Sequence, residues 1–141
     1  YSKVSESSKN SNISSIKLLG DVAGKNVFLA DDMLATGGTL IKAMEFLKAN
    51  KAKTVIAAIS LPLFNGTAVE DFEKAYQEGL FYRIIGTNAV RHTDLQGREW
   101  YIEADVSAFF AEVIMRIYNN ESISDLLDNR HMIKGITKGN T

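Results

Sequence analysis

Two adjacent carboxylates, Asp31 and Asp32, precede Thr36, Gly37, Gly38 and Thr39 by a few residues, and these side chains point most directly to chemistry. Paired glycines permit positive φ and let the main chain approach a ligand closely. When such a pair opens a helix, the amides of the first turn lack intrahelical acceptors and carry the partial positive charge of the helix end, which suits a phosphate. Thr36 and Thr39 add hydroxyl donors for the same anion. Asp31 and Asp32 are repelled by that anion and must face sugar hydroxyls, a metal or a base. Together the residues read as a phosphate-and-ribose cradle. A glycine pair alone would mean only a tight turn; the acids, the threonines and an apolar strand in the right register give it meaning.

The elements that must hold this cradle follow from the flanking patterns. Residues 27–30 form a continuous apolar run, as in a strand buried on both faces of a parallel sheet, with the two acids at its carboxyl end, where open α/β sheets bind ligands. Leu40, Ile41, Met44 and Leu47 then recur at helical spacing, with Lys42, Glu45 and Lys48 facing water, so a helix is expected over 38–50. Residues 54–61 read as a second apolar strand, ended by Pro62, and strand, helix and strand make a right-handed crossover unit. The loop of Leu63, Phe64, Asn65, Gly66 and Thr67 comes next, at the same edge of the sheet. A second helix over 68–78 presents Val69, Phe72 and Tyr76 on one face and is closed by Gly79; a third strand spans 82–86 and leads to Thr87 and Asn88. The polar stretch 91–98 reads as a surface loop with His92 exposed, before a short strand at 100–103. Phe109, Phe110, Val113, Ile114 and Ile117 form the apolar stripe of a helix over 107–119, capped by Asp105 or Ser107 and serving as core or subunit contact. Such alternation indicates an α/β fold with three α-β-α layers and a mainly parallel, doubly wound sheet.

Upstream, residues 16–20 read as a strand, and 21–26 as the turn into the motif strand with Gly24 at positive φ. Residues 1–15 hold seven serines and only Val4 and Ile13 as aliphatic residues, too little to order the segment, so it is expected to be a flexible terminus. The body of the fold is expected over 16–130, with 131–141 as a tail. The formal net charge is -1, which gives no electrostatic footprint for nucleic acid or an anionic membrane. No apolar run is long enough to span a bilayer and no signal-peptide pattern occurs. With no cysteine there are neither disulfides nor thiolate metal sites, and a cytoplasmic protein is expected.

The run Asp31-Asp32-Met33-Leu34-Ala35-Thr36-Gly37-Gly38-Thr39 after an apolar strand resembles the phosphoribosyl pyrophosphate (PRPP) motif of the type I phosphoribosyltransferase fold. Leu19 to Val22, the Leu63 to Gly66 loop with Ala68, Thr87 and Asn88, and Glu121 to Ser124 resemble the landmarks of PRPP synthetases, the ribose-phosphate pyrophosphokinases, in the same order. The resemblance runs from about residue 19 to residue 127 and identifies the chain as similar to the C-terminal half of such an enzyme. It implies that Asp31 and Asp32 hold the ribose 2- and 3-hydroxyls, that residues 35–39 hold the 5-phosphate, and that the substrates are ribose 5-phosphate and ATP, with PRPP and AMP as products. It further implies Mg2+ as cofactor, a homo-oligomer, and a first domain and a basic catalytic loop upstream of Tyr1, so that this piece alone is not fully active. Metal ligands and the ATP pocket are not assigned to this chain. The serines matching a regulatory anion site are Ser122 and Ser124, for which helix capping by Ser122 is the simpler reading. Many synthetases carry aspartate at the position of Ala35, whereas adenine phosphoribosyltransferases carry Ala-Thr-Gly-Gly-Thr there. A PRPP-consuming transferase and a non-catalytic, synthetase-like regulatory subunit are therefore the two alternatives.

Overall fold

The structure is a computed structural model that describes residue 18 and residues 20–128. The expected flexible terminus, the strand at 16–20 apart from Leu18 and Gly20, and the tail at 131–141 lie outside the described residues. The chain divides into two compact units, meeting at Ala104 and Asp105.

The first unit carries a four-stranded sheet of β1 (Asn26–Leu34), β2 (Thr54–Pro62), β3 (Arg83–Thr87) and β4 (Tyr101–Ala104), in that spatial order and parallel throughout. Helix α1 (Gly38–Ala49) joins β1 to β2, and α2 (Ala68–Gln77) joins β2 to β3. Right-handed crossovers that step in one direction across a sheet put their helices on the same face. The core agrees: Leu40, Met44 and Leu47 of α1 and Val69, Phe72 and Ala75 of α2 share one buried cluster with Val55, Ala57 and Ile59 of β2 and Ile84 of β3. Alternation along each strand turns the intervening residues to the opposite face, where Phe28 and Ile102 are exposed.

Five aromatic rings consolidate the covered side. Phe72 stacks on Trp100 at 6.1 Å between centroids, while Phe64 and Phe81 meet Phe72 edge-on at 5.5 and 5.9 Å. Tyr101 meets Trp100 edge-on at 6.0 Å. Glu73 of α2 accepts the indole N–H of Trp100 at 2.9 Å and pairs with Arg98, whose Nε donates to the Asp94 carbonyl at 2.7 Å. The loop ahead of β4 is thereby tied to α2.

Expected and observed boundaries differ in informative ways. β1 does not stop at residue 30 but runs on through Asp31 and Asp32, because Met33 and Leu34 keep pairing with Leu61 and Pro62. His92 is not an exposed loop residue. Its side chain is 11% exposed, its Nε2 is hydrogen-bonded to the Pro62 carbonyl, and its ring meets Phe64 edge-on, because the 91–98 loop folds back over the end of β2. The strand expected at 100–103 begins one residue later, and Trp100 is a core residue.

In the second unit, α3 (Ser107–Tyr118) is followed by the single turn α4 (Ser124–Leu127). The Asp105 carboxylate accepts the Ser107 amide at 2.8 Å, but the N-cap position itself falls to Val106 and not to the expected Asp105 or Ser107. None of the residues of α3 is buried; Phe109, Phe110, Ile114 and Ile117 are exposed.

Candidate functional site at the carboxyl end of β1

Three residues, Ala35, Thr36 and Gly37, connect β1 to α1. Gly37 sits at the N-cap in the left-handed region, with φ 75° and ψ -4°. Helical bonding begins with the Ile41 amide donating to the Gly37 carbonyl at 3.0 Å, which leaves the amides of Gly38, Thr39 and Leu40 without intrahelical acceptors. No side chain caps this end, and its first turn holds no acid, whereas Lys48 lies in the last turn. The partial positive charge of the helix start is therefore not offset by a cap or by an acid in its own first turn.

The two glycines of the turn answer to different causes. A Cβ on Gly37 would fall 2.2 Å from Cε2 of Phe72, so the ring of α2 lies directly against the turn backbone. A Cβ on Gly38 would meet nothing within 4 Å, and its φ is not in the left-handed region. Packing and backbone geometry demand glycine at position 37; at 38 nothing among the described residues does. Thr36 and Thr39 are exposed beside it and Ala35 is partly buried.

The turn is braced from β2. The Leu63 amide donates to the Leu34 carbonyl at 2.8 Å and the Asn65 amide to the Ala35 carbonyl at 2.8 Å. Between them Phe64 is buried with φ 47°, a conformation that costs a bulky residue of order 1–3 kcal/mol and persists only where the surroundings enforce it. Its ring contacts with Phe72, His92, Trp100 and Tyr101 supply that enforcement.

Asp31 and Asp32 are both exposed, and Asp31 Oδ1 accepts the Asp32 amide at 3.0 Å. As consecutive strand residues they leave β1 on opposite faces, Asp31 on the face of Leu29 and Asp32 on that of Ala30. The acids thus flank the strand end just before the turn. Among the described residues no three carboxylate or imidazole groups converge as a metal cage. In the second unit the Ser122 hydroxyl accepts the Ser124 amide at 3.2 Å and Arg116 Nη1 donates to the Ser122 carbonyl at 3.0 Å, while the N-cap position of α4 falls to Ile123.

Residue types alone did not reveal a cavity of about 210 Å³ lined by His92, Leu95, Gln96, Gly97, Tyr101 and Glu103. It borders β4, at the opposite edge of the sheet from β1. Tyr101 Oη is buried without a hydrogen-bond partner among the described residues, above Gly86, where a Cβ would lie 2.3 Å from it. Burial, with Glu103 nearby, pushes its pKa up to about 12.

A model of the phosphoribosyl transferase domain matches residues 1–96. The chain belongs to the phosphoribosyl transferase domain family. Within that family it is 38% identical over 118 residues to a ribose-phosphate pyrophosphokinase of Mycoplasma pneumoniae, covering 84% of this chain and 36% of that protein. Its identity to the ribose-phosphate pyrophosphokinase of Wolinella succinogenes is 38% over 125 residues, covering 87% of this chain and 38% of the relative. The crystal structure of phosphoribosylpyrophosphate synthetase from Mycobacterium smegmatis superposes with a TM-score of 0.63 at 28% identity, over 72% of this chain and 33% of that one. The chain thus spans little more than a third of the length of the relatives it matches, and the parallel α/β sheet of the phosphoribosyl transferase domain is common ground with the solved synthetase.

Proposed function

We propose that this chain is the ribose-5-phosphate-binding, C-terminal half of a ribose-phosphate diphosphokinase, which makes PRPP and AMP from ribose 5-phosphate and ATP. The observation that carries the reading is the uncapped, acid-free start of α1, directly after a strand end bearing two exposed aspartates. The likeness to ribose-phosphate pyrophosphokinases supports it from outside the site.

In this reading the amides of Gly38, Thr39 and Leu40 and the hydroxyls of Thr36 and Thr39 hold the 5-phosphate. Asp31 and Asp32 accept hydrogen bonds from the ribose 2- and 3-hydroxyls as charged acceptors, which are about twice as strong as neutral ones. The anchored sugar then presents its 1-hydroxyl to the β-phosphorus of ATP. A bond forms between that oxygen and the β-phosphorus as the hydroxyl proton passes to solvent, the bond from the β-phosphorus to the α-phosphate oxygen breaks, and AMP leaves with that oxygen. Holding the acceptor in line is the contribution of these residues, and positioning of this kind supplies much of the acceleration in phosphoryl transfer.

Magnesium would accompany the nucleotide. At this site the carboxylates of Asp31 and Asp32 could contact an ion held mainly by phosphates and water. The nucleotide pocket and the basic catalytic loop belong to the remainder of the protein, which works in the cytoplasm as a homo-oligomer.

The test is to offer the full protein ribose 5-phosphate, Mg2+ and ATP and to measure AMP. Formation of AMP with PRPP supports the proposal. Release of pyrophosphate from PRPP on addition of adenine, without the first reaction, would replace it with a transferase. Binding of ribose 5-phosphate with neither turnover would replace it with a regulatory subunit.

A further inference from the structure

The strand registers sort the exposed sheet face into rows that change character toward the carboxyl edge. One row holds Phe28, Ile56 and Arg83; the next holds Ala30, Ala58, Ile85 and Ile102. In the third, Asp32 lies between the Asp31–Ile59 and Met33–Leu61 pairs and so stands opposite Ser60. Ser60 follows Ile59, the partner of Gly86, and so stands opposite Thr87, which itself pairs with Ala104. In-register neighbours in a sheet share a face. Toward the edge where open α/β sheets take their ligands, the mostly apolar rows therefore give way to the row Asp32, Ser60, Thr87 and Ala104, followed only by the buried pair Leu34 and Pro62.

The two hydroxyls of this row have different tasks. Thr87 Oγ1 donates to the Ser60 carbonyl at 2.6 Å and accepts the Ala89 amide at 3.2 Å, so its proton is committed to fixing the end of β2 against β3. Ser60 is exposed, and its hydroxyl has no hydrogen-bond partner among the described residues. Adjacent strands lie about 4.8 Å apart, so the Asp32 carboxylate and the Ser60 hydroxyl are spaced to reach neighbouring hydroxyls of a single sugar ring.

We infer that Ser60 is a sugar-contacting residue of the same site, its hydroxyl hydrogen-bonding a ribose hydroxyl beside Asp32, with Thr87 as the positioning residue that holds it there. The inference rests on the ribose 5-phosphate reading of the site. It identifies β2, and not only the motif on β1 and α1, as a determinant of which pentose phosphate is accepted.

The experiment is calorimetric titration of the full protein and its Ser60→Ala, Thr87→Val and Thr87→Ser variants with ribose 5-phosphate and its 2-deoxy and 3-deoxy analogues. Losing one neutral hydrogen bond predicts an affinity loss of roughly five- to tenfold for Ser60→Ala. Because the residue is exposed, its melting temperature should not change. With the analogue that lacks the contacted hydroxyl, wild type and Ser60→Ala should bind equally. Thr87→Val should also weaken binding, and Thr87→Ser, which keeps the hydroxyl, should restore it. A wild type that binds ribose 5-phosphate normally alongside an unimpaired Ser60→Ala variant overturns the Ser60 assignment alone, as does a loss of equal size for all three ligands. A wild type that does not bind ribose 5-phosphate overturns the reading of the whole site.

Discussion

Replacing each turn glycine by alanine separates what the fold requires from what the ligand requires. At Gly37 the new methyl would lie 2.2 Å from the Phe72 ring on a backbone with φ 75°. The left-handed conformation costs an alanine about 1–2 kcal/mol. Forcing a methyl against a packed ring adds roughly 1–3 kcal/mol. Gly37→Ala should therefore lose about 2–5 kcal/mol of stability, read from urea denaturation midpoints at unchanged m-value. At Gly38 the methyl meets no protein atom within 4 Å and the backbone is helical, so Gly38→Ala should fold as well as wild type, or better by about 0.4–1 kcal/mol. Its cost should appear only on binding. A methyl group at the first helical residue keeps the phosphate from the amides, and losing one charge-assisted hydrogen bond, about 1.5–3 kcal/mol, predicts roughly ten- to hundredfold weaker ribose 5-phosphate by calorimetry. Normal binding by Gly38→Ala would refute the helix start as the phosphate cradle. An undiminished stability of Gly37→Ala would refute the packing of Phe72 under the turn.

Asp31→Ala and Asp32→Ala should each weaken ribose 5-phosphate binding by roughly 1.5–3 kcal/mol through loss of a charged acceptor, and unchanged calorimetric affinity would remove the acid from the site. The Glu73 carboxyl is held below its ordinary pKa first by the Trp100 indole N–H and then by Arg98. A depressed folded-state pKa gives stability that is present above the unfolded value, near pH 4.3, and lost as pH falls through the folded value. The stability advantage of wild type over Glu73→Gln should accordingly shrink as melts are run from pH 6 toward pH 3. Tyr101 should stay protonated to about pH 12. Because its hydroxyl is buried with no partner among the described residues, Tyr101→Phe should melt at the wild-type temperature or above it, and a loss beyond about 1 kcal/mol would mean that the hydroxyl is in fact hydrogen-bonded.

Local signals carry the parts of this molecule that depend on neighbours in the chain. The apolar run before Asp31, the helical period from Leu40 to Leu47, the Thr36 to Thr39 turn and the alternation of strands with helices were legible from residue order, because backbone preferences and amphipathic spacing act over a few positions. The acids and the helix start fall on adjoining elements for the same reason. Tertiary structure alone decided which glycine answers to packing, since Phe72 lies far along the chain from Gly37 and comes beneath it only when α2 docks on the sheet. It also drew β1 past the acids through pairing with Leu61 and Pro62, and packed His92 against Phe64. Asp32, Ser60 and Thr87 became one row by strand register, a relation between distant residues that no local pattern encodes, because it is set by how three strands align their buried faces.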